Sequence, residues 1–275
     1  MGRQDRRIQL KKSMAAVSRR GMDLTANSSE QSWSVIAAAR IVIDMLRGHA
    51  PGRAGKAAKL ANEFFEMSLK HNPSKFAIAC TKGCAYCCHV SVTATAPEIF
   101  LVANRIRELP PQDFDDTLMR VRAADQRTRE MSSQQRARNK IPCALLKNNM
   151  CSVYDARPGA CRGFTSVAVQ ACHDGFNGLP AQVNTPAVWT TLRSAHKQAM
   201  WGALAAVNLP TECYEFHHAL RIALELPDAE NRWLAGEDIF AGVAREIVSD
   251  PAAQASNKRI IDQIVAGALG REMPA

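Results

Sequence analysis

The sequence predicts a mainly α fold: an irregular helical domain interrupted by two cysteine-rich loops. Three observations lead there. Apolar residues recur at spacings of three and four through most of the 275 residues. Only Val90-Ser-Val-Thr-Ala-Thr95 has strand character, and neither a strand–helix alternation nor an internal repeat is present. Eight of the nine cysteines fall between residues 80 and 172, in two groups at 80–88 and 143–172 where helical periodicity lapses.

The elements follow in order. Ser28 with Gln31 forms a capping-box pattern ahead of the stripe Trp33, Ile36, Ile43 and Leu46, and Pro51-Gly52 ends that helix. A second helix runs from about Gly55 to His71 on Leu60, Phe64 and Met67, and Asn72-Pro73-Ser74 leads into the first cysteine loop. Thr95 and Glu98 make another capping box, with Pro97 in the first turn and Ile99, Val102 and Ile106 behind it. Pro110-Pro111 precedes a helix bearing Phe114, Leu118 and Val121 that continues into an Arg-rich stretch. Residues 142–186 form the second cysteine segment, in which Asn148-Asn149 reads as a turn between two short extended pieces. Helices then start at Thr185-Pro186, Pro210-Thr211 and Asp250-Pro251, with an amphipathic segment holding Trp233, Phe240, Val243 and Ile247 before the last. The organisation expected is a basic, unstructured tail over 1–27 and one helical domain over 28–275, with its cysteine region at 76–175.

The net charge of +9 is concentrated in two places. Residues 1–20 carry seven Lys or Arg against Asp5, and residues 120–140 carry seven against Asp125 and Glu130. Such runs read as solvated faces, and without a broad basic surface set with aromatic readers a nucleic-acid partner is not expected. No apolar run is long enough to span a membrane, and the N-terminus lacks the pattern of a secretory signal. A cytoplasmic location follows as an expectation, and in that reducing setting clustered thiols serve as ligands rather than disulfides.

The first cysteine group is Cys80-Thr-Lys-Gly-Cys84-Ala-Tyr-Cys87-Cys88-His89. The second comprises Cys143, Cys151, Cys161 and Cys172. Thiolates are soft donors suited to zinc, copper(I) and iron–sulfur clusters, and four of them on one Gly-containing loop can converge. Cys80, Cys84 and Cys87 on their loop can bind three irons of a cubane and leave the fourth iron open. That spacing resembles the loop of the radical S-adenosylmethionine enzymes, whose α/β-barrel framework is absent here. Adjacent Cys87 and Cys88 diverge and suit two metals, or two atoms of one polynuclear centre. The gaps after Cys143 are too irregular for zinc-finger pairs. The expected ligands are Cys80, Cys84, Cys87, Cys88, Cys143, Cys151, Cys161 and Cys172, joining the two loops through a metal centre.

Together with Pro142-Cys143 and Cys151-Ser-Val-Tyr154-x2-Arg157-Pro158-x2-Cys161-Arg162, the first group resembles the YkgJ-type family of zinc- or iron-chelating cysteine-cluster proteins. The resemblance covers residues 76–166, with a first interval one residue longer than the family's CxxCxxCC. It implies ligand roles for the seven cysteines up to Cys161; Cys172 lies beyond it. The cysteine region is also similar to that of flagellin lysine N-methylase, which would imply a cluster with S-adenosylmethionine.

Three readings stay open: an iron–sulfur protein, 4Fe-4S favoured; a zinc-stapled adaptor; and an S-adenosylmethionine-dependent modifying enzyme. The partner, a protein or a small molecule, is not legible. Lys82, Arg157 and Arg162 can supply charge around the thiolates, and Arg157 can equally be a structural residue that pairs with Asp155 or caps carbonyls. His89 and His173 read as polar loop residues more than as ligands. Cys213 and His217 share a helix face with Phe216 and Leu220, which favours a core role for Cys213 over a metal site.

Overall fold

The computed structural model describes residues 2–270. In chain order its helices are α1 (Arg3–Arg20), α2 (Ser28–Arg47), α3 (Arg53–His71), α4 (Ala96–Arg107), α5 (Pro111–Thr128), α6 (Ser133–Arg138), α7 (Gly159–Arg162), α8 (Val169–Phe176), α9 (Ala187–Ala206), α10 (Phe216–Glu225), α11 (Ala229–Leu234) and α12 (Pro251–Leu269). The strands are β1 (Thr93–Thr95), β2 (Leu146–Lys147), β3 (Met150–Cys151) and β4 (Cys213–Glu215). They form two antiparallel pairs, β1 with β4 and β2 with β3. The fold is mainly α, as the periodicity implied.

Where one domain was expected, the chain divides into two compact units. One comprises Met1–Ser74, Ala187–Thr211 and Ile247–Ala275, and the other Lys75–Pro186 and Glu212–Glu246. The first unit is a helical assembly of α1, α2, α3, α9 and α12. Its start differs from the expected tail: α1 is helical, packs on α2 and α3, and buries Val17. The segment after it is tied to α3. Met22 N–H donates to Ser68 Oγ at 2.8 Å, Asn72 Nδ2 donates to the Met22 carbonyl at 2.6 Å, and Leu24 N–H donates to Asn72 Oδ1 at 2.8 Å. Gly21 makes the turn with φ of 74°, and a Cβ there would stand 2.4 Å from the Ser68 nitrogen. Charge density in the sequence hid this packing, because the buried residues are few and small. The N-cap of α2 is Asn27, whose side chain accepts from Glu30 N–H, one residue ahead of the capping box read at Ser28.

In the second unit α10 packs on α4 and α5. The capping box expected at Thr95 forms, with Glu98 Oε2 accepting from Thr95 N–H at 2.8 Å. Ile99, Val102 and Ile106 are buried as their spacing implied. The helix expected from Pro210-Thr211 begins only at Phe216, because residues 213–215 pair with β1 in the register Thr95↔Cys213 and Thr93↔Glu215. Tertiary pairing overrides local helical pattern there. The segment around Trp233 is helical only to Leu234, yet Trp233, Phe240 and Tyr214 join Phe100 in a buried aromatic cluster. No described helix is long and apolar enough to cross a membrane.

Candidate metal centre

All nine cysteines carry free thiols, and all lie in the second unit. The first loop turns through a Cys84 N–H bond to the Thr81 carbonyl at 3.0 Å, with Gly83 at a φ of 90° that disfavours any side chain. It enters a 3₁₀ turn over Tyr86–His89, which carries Cys87 and Cys88.

Two connections join this loop to the later segment. Cys143 N–H donates to the Cys88 carbonyl at 2.7 Å, and Ala79 N–H donates to the Ser166 carbonyl at 2.9 Å. Helix α8 also packs on the 3₁₀ turn. The Tyr86 ring meets His173 and Phe176 at 5.9 and 5.6 Å, and His89 meets Phe176 at 4.9 Å. Cys172 therefore belongs to the first loop's surroundings, a placement its position in the chain could not decide. Ser166, only 1% exposed, is the stitch: its carbonyl holds Ala79, its hydroxyl donates to the Ala168 carbonyl at 2.9 Å at the start of α8, and it favours the ionised Cys172 thiol.

The other three cysteines are positioned by the helices. Both backbone polar groups of Ala144 are clamped, its N–H by His217 Nε2 on α10 at 3.2 Å and its carbonyl by Arg120 Nη1 on α5 at 2.6 Å. That fixes the backbone next to Cys143. Cys151 follows the β2–β3 turn, where Asn148 and Asn149 take φ of 52° and 59° as the Asn-Asn pair implied. Cys161 lies on α7, whose first N–H, from Gly159, donates to Glu98 Oε1 at 2.7 Å. Glu98 is buried and so serves two elements at once.

Electrostatics record which thiols are neighbours. Burial pushes the Cys161 thiol well up, and the charges of Cys143, Cys151 and Cys87 push it further. Burial likewise raises Cys143 to about 11, with Cys151 adding to the rise. Cys84 is raised by burial and by Cys80, Cys87 and Cys172. Cys172 is raised by burial, lowered by the Ser166 bond, and raised by Cys80 and Cys87. Cys87 is raised first by its hydrogen bond with Cys88 and then by burial. Sulfurs from both segments thus repel one another once ionised. Among the described residues, no three His, Cys, Asp or Glu side chains are gathered tightly enough to hold one ion without moving.

The residues fit a thiolate-bound metal on two grounds. One is the donor set of eight thiols. The other is Arg136, a buried cation beside Cys143 and Cys161 whose Nε has no hydrogen-bond partner. Its side chain is 3% exposed, and Nη1 meets Glu215 Oε1 at 3.2 Å. A metal-bound thiolate would give that Nε an acceptor and the cation a second counter-charge. Arg136 was hidden in the sequence, where it reads as one of seven basic residues in a solvated stretch. The Ser132–Gln135 capping box locates helix α6 but not which of its faces is buried.

The remaining expectations divide. Arg157 stacks on Tyr154 at 3.5 Å and its Nε donates to the Tyr154 carbonyl at 3.1 Å, a structural cap, while its charge also favours ionised Cys87, Cys151 and Cys161. The Asp155 contact belongs instead to Arg162, whose Nη2 donates to the Asp155 carbonyl at 2.6 Å. Lys82 is exposed. His89 Nδ1 meets the Ala85 carbonyl at 3.0 Å, and His173 meets Asp174 of its own helix through Nδ1 and Asn177 at that helix's C-cap through Nε2, which suits the polar-residue reading. Cys213 is buried in β4, and His217 is engaged with Ala144.

Fold and site define a mainly helical protein with a cysteine-cluster region. Within it, residues 79–183 match the family model described as "CxxCxxCC: Putative zinc- or iron-chelating domain". This agrees with the resemblance carried by the cysteine motifs and supports metal binding by the region. Neither a curated protein nor a solved structure matches the chain.

Proposed function

We propose that the second unit holds an iron–sulfur cluster, 4Fe-4S, on thiolates of its two cysteine segments. One observation carries the reading: the later cysteine segment is joined to the first loop at the cysteines themselves, the Cys143 N–H donating to the Cys88 carbonyl at 2.7 Å, and the charge of Cys87 reaches Cys161 as well. Eight thiols among ordered elements, with two cations alongside, suit a polynuclear anionic centre that needs both thiolates and counter-charge. When bound, such a cluster supplies electron transfer or, with an open iron, a site for a cosubstrate. The protein's own residues set its surroundings: Arg136 and Arg157 offset the negative charge, and the Ala79–Ser166 bond with the Tyr86, His89 and Phe176 rings holds α8 and its Cys172 against the first loop. A reducing compartment is part of this reading, since the thiols must stay unoxidised.

Purification without oxygen, followed by iron, zinc and acid-labile sulfide analysis and a visible spectrum, tests it. Iron and sulfide in equal amounts, with visible absorption that dithionite bleaches, is the expected result. A colourless protein with stoichiometric zinc and no sulfide would replace the cluster with a zinc staple, in which the metal folds the loops and does no chemistry.

A further inference from the structure

The net charge of +9 is not shared between the two units. The first carries 18 Lys or Arg against 9 Asp or Glu, and the second 17 against 17. The two basic runs of the sequence also differ in what answers them. In residues 120–140, Arg120 pairs with Asp116, Arg122 with Glu225, Arg129 with Asp125 and Arg136 with Glu215. On α1, by contrast, Arg7, Lys11, Lys12, Arg19 and Arg20 have no ion-pair partner among the described residues. Asp5, the one acid of that helix, accepts from Gly2 N–H at 3.1 Å. We propose that the outward face of α1 docks the protein on an anionic membrane surface, a role separate from metal binding.

The fold fixes which face that is. Ser13 and Val17 are buried, α1 packs on α2 and α3, and Gly21 brings the end of the helix against Ser68. Arg7, Ile8, Lys11, Lys12, Ala15 and Arg19 are exposed. At about 100° per residue, Ile8 projects near the middle of this face, with Arg7 and Lys11 to one side and Lys12 and Arg19 to the other. From Arg7 to Arg19 the cations extend about 18 Å along the axis.

Charge complementarity requires an anionic partner, and the composition of the face selects among anions. Ile8 is 48% exposed, an aliphatic group bracketed by four cations. At a bilayer it enters the boundary between headgroups and acyl chains while its neighbours meet lipid phosphates. A nucleic-acid backbone has no use for that isoleucine, and the face carries no aromatic ring on which a base could stack. The helix does not sink deeper, because its own apolar side is already spent on α2 and α3.

Cosedimentation of the full-length protein with vesicles at about 0.1 M salt tests the proposal. Wild type should bind vesicles of mixed phosphatidylserine and phosphatidylcholine, stay in solution with phosphatidylcholine alone, and be released at about 1 M salt. One cation near an anionic surface contributes about fivefold to partitioning, so Lys11→Gln with Lys12→Gln should weaken it roughly 30-fold. Ile8→Ser should weaken it about fivefold. Lys258→Gln with Arg259→Gln makes the same charge change on α12, which packs on α2 and α9, and should lose far less. The substituted side chains on α1 are exposed, and circular dichroism checks that its variants stay folded. Absence of binding to the anionic vesicles overturns the proposal, as do equal losses from the two lysine-directed pairs, which would make the attraction one of net charge alone. Tighter binding to a DNA duplex than to the vesicles, indifferent to Ile8→Ser, would overturn it in favour of a nucleic-acid backbone.

Discussion

Replacing Arg136 by Gln removes a buried cation whose charge acts on Cys143 and Cys161. Its side chain is 3% exposed and that of Glu215 is 11% exposed, with 3.2 Å between Nη1 and Oε1. Taking one partner from a buried ion pair costs about 3–5 kcal/mol, because the other is left without its counter-charge. The lower end applies here. Burial already raises the Glu215 carboxyl, so it can take up a proton, and its Oε2 keeps the His218 N–H at 2.8 Å. We therefore expect R136Q to lose about 3 kcal/mol in urea unfolding of the metal-free protein. R136M with E215L, which leaves no charge stranded, should lose less than either single change. The metal-loaded protein should suffer more than the metal-free one. Loss of a group that orients and balances a ligand shell typically weakens metal binding about 10–100-fold, which competition with a chromophoric chelator would measure. Metal-free stability within about 0.5 kcal/mol of wild type, the range of an ordinary surface substitution, together with unchanged metal affinity, would refute the role given to Arg136.

Three other expectations rest on separate parts of the fold. Gly202→Ala should destabilise the first unit by about 1–3 kcal/mol in denaturant unfolding, because a Cβ there would stand 2.3 Å from Ile264 Cγ2 where α9 meets α12; an unchanged midpoint would mean that the helices are not so close. Burial, with Arg136 adding to it, holds His217 down from 6.5 to about 3, so the folded protein binds fewer protons than the unfolded chain below pH 6.5. Its contribution is complete above that pH and falls as the solution is acidified, by about 2 kcal/mol between pH 6.5 and 5. The raised Glu215 carboxyl, 3.8 Å away, acts in the opposite sense, so the comparison is with His217→Gln, which should show a shallower acid loss in unfolding curves measured across that range. In the reduced, metal-free protein, iodoacetamide at pH 7.5 should modify exposed Cys80 well before Cys143 and Cys161, whose thiols are held protonated by burial and by neighbouring sulfur charge. Mass mapping over time reads the order, and equal rates would contradict it.

The helices were legible where apolar spacing and caps agreed. Thr95 with Glu98 and the Asn148-Asn149 turn both formed as their residue types require, since each signal is a local hydrogen-bond or φ demand. Long-range partners decided what the sequence did not convey. The stretch Cys213–Glu215 became a strand because Thr93–Thr95 was there to pair with it. Residues 3–20 became a packed helix because α2 and α3 offered a surface to residues that, by charge alone, read as solvated. At the site, the cysteines could be named from their spacing, as thiol density is a chemical signal independent of fold. Ser166 and Arg136 could not, because a serine before a short helix and an arginine among arginines carry no mark of burial. The neutral partner of Ala144, His217, was visible only as one face of a helix.

X-ray absorption at the edge of whatever metal the protein carries when purified without oxygen addresses the central claim most directly, since it reads the atoms bound to that metal. A first shell made only of sulfur, retained in the chain alone after gel filtration and lost when Cys87, Cys88 and Cys161 are changed together to Ser, is the result this account requires. A shell of nitrogen and oxygen, or a sulfur shell indifferent to those three residues, would contradict it.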